Sequence, residues 1–225
     1  MWDLPPFELR NGQIHSRACD DLLGCAEIIC VLRELEERGT PGHCVGLFTR
    51  AEEVGLVGAI ELARSGVLSS SLTILSLETS TPRGTAEIGR GPIVRVGDRI
   101  SSFDGSATAR LLSTAQEEKI PVQRCLLDGG TCEATAYQLY GYTCAAASLA
   151  LGNYHNVTPE GAIAPEYVAI DDLVDMVRLC VATVLRGKAH EPQRALRKKL
   201  EENARSYREF YSTSRSKSGE PEEKL

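Results

Sequence analysis

Two adjacent carboxylates, Glu52 and Glu53, hold the position in this chain from which most chemistry could be done. They follow the apolar run Cys44 to Thr49, CVGLFT, which reads as a short buried strand, and they precede the helical pattern VGLVGAIELARSG that ends at Gly66. The C-terminal ends of strands are where open α/β sheets place their ligands. One carboxylate there can bind a metal while its neighbour moves a proton. The structural alternative is a solvated helix start, because carboxylates favour water and helix N-termini. Three further residues invite the same question: Asp20 ahead of a helix, Glu78 after the apolar run Leu72 to Leu77, and His155 in the irregular segment GNYHNVTPEGAIAPE. Their ordinary roles would be a helix cap (Asp20 or Asp21), a loop carboxylate and a hydrogen-bonded loop histidine. Together, Asp20, Glu53, Glu78 and His155 make a set of hard oxygen donors plus one imidazole, which suits zinc, cobalt or manganese better than a thiolate site would. A carboxylate shared between two cations would keep them ~3.5–4 Å apart.

The elements that must position these residues follow from periodicity. Residues 1 to 18 read as two extended segments joined by a tight turn at Asn11-Gly12. Leu22, Cys25, Ala26, Ile29, Leu32 and Leu35 fall at helical spacing in a helix closed by Gly39. After the runs at 44–49 and 72–77, PIVRVGD alternates like a strand, SATARLLSTAQEEK is helical, VQRCLL is a strand, and DGGT turns into a helix around CEATAYQLYG. CAAASLAL makes a fifth strand, and Asp171 and Asp172 stand where they could cap the final helix, LVDMVRLCVATVLRG. Strands alternating with helices predict a three-layer α/β/α sandwich. From Lys188 the chain turns charged, with an exposed helix expected near ALRKKLEENARSYREFY and disorder over 213–225.

At 225 residues and 42% hydrophobic content, the chain can bury one sizeable core. A net charge of -6 argues against a nucleic-acid surface. No apolar run approaches the ~20 residues that span a bilayer, and MWDLPPFELR lacks the features of a signal peptide, so a cytoplasmic location without membrane partners is expected. Eight cysteines without any C-x-x-C read as reduced, mostly buried thiols, with Cys25, Cys30, Cys125, Cys144 and Cys180 inside apolar runs. Gly89-Arg90-Gly91 and Asp128-Gly129-Gly130 lack the spacing of a dinucleotide-binding loop.

The segments WDLPPFELRNGQIHSRACDDLLGCA, FTRAEEVGLVGA, GRGPIVRVGD, DGGTCEATAYQLYG and YHNVTPEGAIAPEYVAIDDL, in that order, resemble the M42 group of dinuclear metallo-aminopeptidases, in the clan of the M18, M20 and M28 peptidases. The likeness runs from residue 1 to about 187. It implies a zinc-exopeptidase (phosphorylase/hydrolase-like) fold that is N-terminally incomplete, with 1–187 as the C-terminal part of the catalytic domain and 188–225 as a charged helix and tail. It implies cleavage of N-terminal residues from peptides, two Zn2+ or Co2+ ions per site in the family, and an N-terminal sheet edge that a homo-oligomer or a partner would cover. By the same resemblance, Asp20 corresponds to the metal-bridging aspartate, Glu53 and His155 to ligands of one metal, and Glu78 to a ligand of the other, where M42 members usually carry aspartate. Glu52 corresponds to the general base that deprotonates the attacking water and protonates the leaving amine. The family's first metal histidine lies upstream of the matched stretch; His15 and His43 lack its H-x-D context. Three alternatives follow: one half of a split enzyme, a non-catalytic remnant acting through a partner, and an M20/M28-like deacylase or peptidase with nearly the same ligands.

Overall fold

The computed structural model describes residues 3–39, 43–187, 192–208 and 210. The expected disordered stretch 213–225 lies outside them. The chain divides into two compact units, Met1–His190 and Glu191–Leu225.

The first unit opens with β1 (Glu8–Arg10) and β2 (Gln13–Ser16), paired antiparallel with Leu9 opposite Ile14. Asn11 and Gly12 both have positive φ, the combination that matches a tight turn to the twist of its strands. A third strand, β7 (Glu166–Ala169), pairs with β2 so that Ser16 faces Glu166. The sequence reading has no strand there.

The main sheet contains β3 (Thr73–Ser80), β4 (Ile93–Gly97), β5 (Gln123–Leu126) and β6 (Thr143–Ala150), in the order β3-β6-β4-β5. β3 runs parallel to β6 and β4 parallel to β5, while β4 and β6 are antiparallel. The small residues Ala145, Ala146 and Ala147 of β6 are buried, so helices approach both faces of this inner strand closely. On one face lie α1 (Cys19–Glu37), α3 (Gly105–Glu118) and α5 (Ile170–Arg186), whose Val31, Leu111 and Met176 pack over Leu149, Val94 and Ala147. On the other, α2 (Val57–Ser65) and α4 (Glu133–Leu139) cover Ile74, Cys144 and Ala146 with Ala59, Ala63 and Tyr137. This is the expected α/β/α arrangement. The second unit contributes α6 (Pro192–Ser206), with Leu196 and Leu200 exposed. No helix among the described residues is long and apolar enough to cross a membrane.

Four local expectations are corrected. Cys44 to Thr49 is not a strand: it runs beside α1, with Gly46 against Ile28 and Leu32, and none of the described segments pairs with it. Hydrogen bonding to a neighbour, which apolar content alone does not supply, is what makes a strand. The buried stripe of α1 is Gly24, Glu27, Val31 and Leu35, leaving Leu22 62% and Ile29 59% exposed. Of the six apolar residues at helical spacing only Leu35 joins that stripe, because α1 is apolar on two faces. Asp171 and Asp172 do not cap α5; Asp172 is buried and accepts hydrogen bonds from the backbone N–H groups of Gly89 and Gly91, both at 2.7 Å. Cys30 is exposed, although all eight cysteines are free thiols.

Candidate metal centre

Asp20 lies where β2 hands over to α1. It and Asp21 sit outside helical geometry and are joined by a cis peptide bond. Neither is the N-cap, which is Ala18; Asp21 instead accepts the N–H of Gly24 at 3.1 Å.

Glu52 and Glu53 occupy a turn rather than the start of a helix, since α2 begins only at Val57. The turn is built on positive φ at Ala51, Gly55 and Leu56. The Glu52 carbonyl accepts the N–H groups of Gly55 and Leu56 at 3.0 and 2.9 Å. Gly58 closes the turn on the Arg50 carbonyl, where a Cβ would stand 2.4 Å from that oxygen. The glycines of the EEVGLVG stretch therefore shape the loop that presents the two carboxylates.

His155 comes from the loop after β6. Asn153, His155 and Asn156 all adopt left-handed backbone conformations, which are unfavourable for residues with a Cβ. The rings of Tyr154 and His155 stack with centroids 3.9 Å apart.

These loops bring three of the expected residues together. His155 Nε2 lies 3.7 Å from Asp20 Oδ2 and 4.0 Å from Glu53 Oε2, and the ligand atoms of Asp20, Glu53 and His155 fall within 4.8 Å of one another. The Asp20 side chain is 14% exposed, whereas those of Glu53 and His155 are 63% and 52% exposed, so the cluster is closed beneath and open above. Glu78, on β3, is not part of this group. It is partly buried and accepts a hydrogen bond from Ser76 Oγ at 3.2 Å.

Burial and mutual repulsion push the local carboxyls upward. Asp20 is raised to about 6, by burial first and then by Glu53 and Glu166. Glu52 rises to about 7 through burial and the charges of Glu53, Asp20 and Glu133. Burial dominates at Glu78, pushed up to about 8 although Arg95 pulls it the other way. A site that strains this many anions together fits a divalent cation, which stabilises the ionised forms. Asp20, Glu53 and His155 place two carboxylates and an imidazole where they could hold such an ion, a donor set suited to the zinc or cobalt class.

Four neighbours are absent from the sequence reading. Glu133, the first residue of α4, accepts a hydrogen bond from Thr49 and faces the same anionic region. Its signal is its place two residues after the DGGT turn, at the start of the helix expected there. Arg95 is a buried cation on β4, with Nη1 3.5 Å from Ser148 Oγ, and nothing in the alternating run PIVRVGD marks it as more than an outward residue. Tyr154 shows only as an aromatic beside a histidine. Glu166 is buried and contacts the backbone on both sides of the site, which no local pattern reveals.

The model of the M42 glutamyl aminopeptidase family matches residues 1–179. A protein of Acetivibrio thermocellus described as a candidate aminopeptidase is 29% identical over 126 residues, covering 54% of this chain and 38% of its own length. Among solved structures, the dodecamer PhTET1-12s superposes with a TM-score of 0.65 at 25% identity, over 78% of this chain and 52% of that one. The TET aminopeptidase from Thaumarchaeota archaeon SCGC AB-539-E09 gives 0.71 at 21% identity, over 81% and 52%. The chain thus spans about half the length of these solved structures and less of the Acetivibrio protein. Matched over most of its length by the family model and built on the same α/β fold, the chain belongs to the M42 glutamyl aminopeptidase family.

Proposed function

We propose that residues 1–187 form the ligand-bearing part of a metal-dependent aminopeptidase that removes N-terminal residues from peptides. The observation that carries this reading is the convergence of Asp20, Glu53 and His155 within 4.8 Å beside Glu52. Asp20, Glu53 and His155 hold one Zn2+- or Co2+-class ion; Asp20 with Glu78 contributes to a second. When bound, the cation supplies Lewis acidity to the scissile carbonyl and to water. Glu52, next to Glu53 in the same turn, is the proton carrier: it takes a proton from the attacking water and delivers it to the leaving amine. Arg95 offsets part of the negative charge around Glu52 and Glu78.

The open upper side of the cluster favours a second reading, in which the chain acts only when a partner or another copy completes the site. The same need falls on β3, an edge strand whose outer side is paired with no described segment. A cytoplasmic setting accords with the free thiols.

The test is the metal content of dialysed protein together with hydrolysis of aminoacyl-p-nitroanilides in added Zn2+ or Co2+. About one ion per chain is expected, lost in Glu53→Ala and His155→Ala. Glu52→Gln should keep the ion and lose about 10²–10⁴-fold in rate. Wild-type protein that holds no ion would refute the autonomous site; an ion held without hydrolysis would favour the partner-dependent reading.

A further inference from the structure

Glu166 is only 2% exposed, and all of its recorded hydrogen bonds go to backbone N–H groups of the metal-binding loops. Oε2 accepts the N–H groups of Cys19 at 2.7 Å and Asp20 at 3.1 Å, while Oε1 accepts that of His155 at 3.0 Å. The two ligands it ties together are remote in sequence. Hydrogen bonds to an ionised carboxylate are about twice as strong as neutral ones, and strengthen further away from water.

The loop that carries His155 needs such an anchor. Three of its residues, Asn153, His155 and Asn156, adopt left-handed conformations, which crowd the Cβ of His155 in particular against its own backbone. The segment around β7 restrains them at several points. Asn153 Nδ2 donates to the Pro165 carbonyl at 2.9 Å, and Gly152 and Tyr167 exchange two backbone hydrogen bonds at 2.8 and 3.1 Å. Gly152 is required at this approach, since a Cβ there would stand 2.1 Å from the Tyr167 ring. Of these restraints, the one from Glu166 falls on the ligand residue itself and also reaches Asp20.

We infer that Glu166 is a positioning residue of the metal centre: its two carboxylate oxygens bridge the backbones of Asp20 and His155 and set the separation of those ligands before a cation arrives. It contacts neither cation nor substrate in this role. The inference rests on the metal-binding reading above and adds a residue to it. Glutamine is the informative substitution. Its size is the same, but one carboxylate oxygen becomes an NH2 group that cannot accept, so either His155 or the Cys19–Asp20 pair loses its partner and meets a donor instead.

The experiment is titration of the full chain with Co2+, followed by calorimetry and by the visible d–d spectrum, for wild type, Glu166→Gln, Glu53→Ala and Asp172→Asn. Asp172→Asn serves as a fold-stability control away from the ligands. Glu166→Gln should weaken Co2+ binding about 10–100-fold and change the spectrum, the size of effect usual for residues that orient ligands. Asp172→Asn should keep wild-type affinity and spectrum even if its melting temperature is lower. Wild-type binding in Glu166→Gln, with binding lost in Glu53→Ala, overturns the positioning role alone. Equal affinity in wild type and Glu53→Ala overturns the metal reading, and the positioning role with it. A loss in Asp172→Asn matching that in Glu166→Gln assigns the effect to general destabilisation and also overturns the role.

Discussion

Glu78 links the chemistry of the site to the stability of the fold. Its carboxyl is raised from the ordinary 4.5 to about 8, chiefly by burial, and Asp20 and Glu52 are raised beside it. In metal-free protein these groups hold protons that the unfolded chain has already released. The native state therefore binds more protons than the unfolded state, and stability falls as pH rises between 4.5 and about 8. Urea midpoints measured across that window should decline, and Glu78→Gln should flatten the decline. Saturating Zn2+ should reverse the slope, because a bound cation favours the ionised carboxylates. Asp20, Glu53 and His155, which the fold brings together, were legible in the sequence from their loop and segment-edge positions and from the resemblance to M42 peptidases. Glu166 and Arg95 were not, since their roles depend on partners from distant parts of the chain.

Buried carboxylates also organise the elements. Asp172 on α5 holds the Gly89 and Gly91 N–H groups ahead of β4, where Gly91 has positive φ and a Cβ would stand 2.2 Å from the Pro121 carbonyl. Asp172→Ala should destabilise the fold by about 3 kcal/mol, because two charge-assisted hydrogen bonds are lost and their donors are left unsatisfied. Asp172→Asn, which keeps one acceptor, should lose roughly half as much. Chemical denaturation of both variants checks the pair. Periodicity located the five α-helices described in the first unit and the four strands of the main sheet, because most of these elements bury an apolar stripe. It failed for Cys44 to Thr49, whose composition suits a strand but whose partner is missing from the described residues, and for β7, whose four residues carry too little pattern to read.

Across the molecule, the outer side of β3, paired with no described segment, and the exposed Leu22 and Ile29 on α1 leave apolar surface in water. The purified chain should self-associate in light scattering, and Leu22→Lys with Ile29→Lys should shift it toward monomer. An unchanged mass in the double variant would remove this face as the interface. The pairing of β2 with β7 has a further consequence for how the site comes into being. Asp20 and Glu166 are 146 residues apart and meet only when the ends of the first unit close on one another, a step that long-range loop entropy delays. The proposed metal centre, assembled so late, cannot nucleate the fold: Zn2+ present during refolding should leave the folding rate unchanged and slow only unfolding, so that the cation would act as a lock on a finished structure.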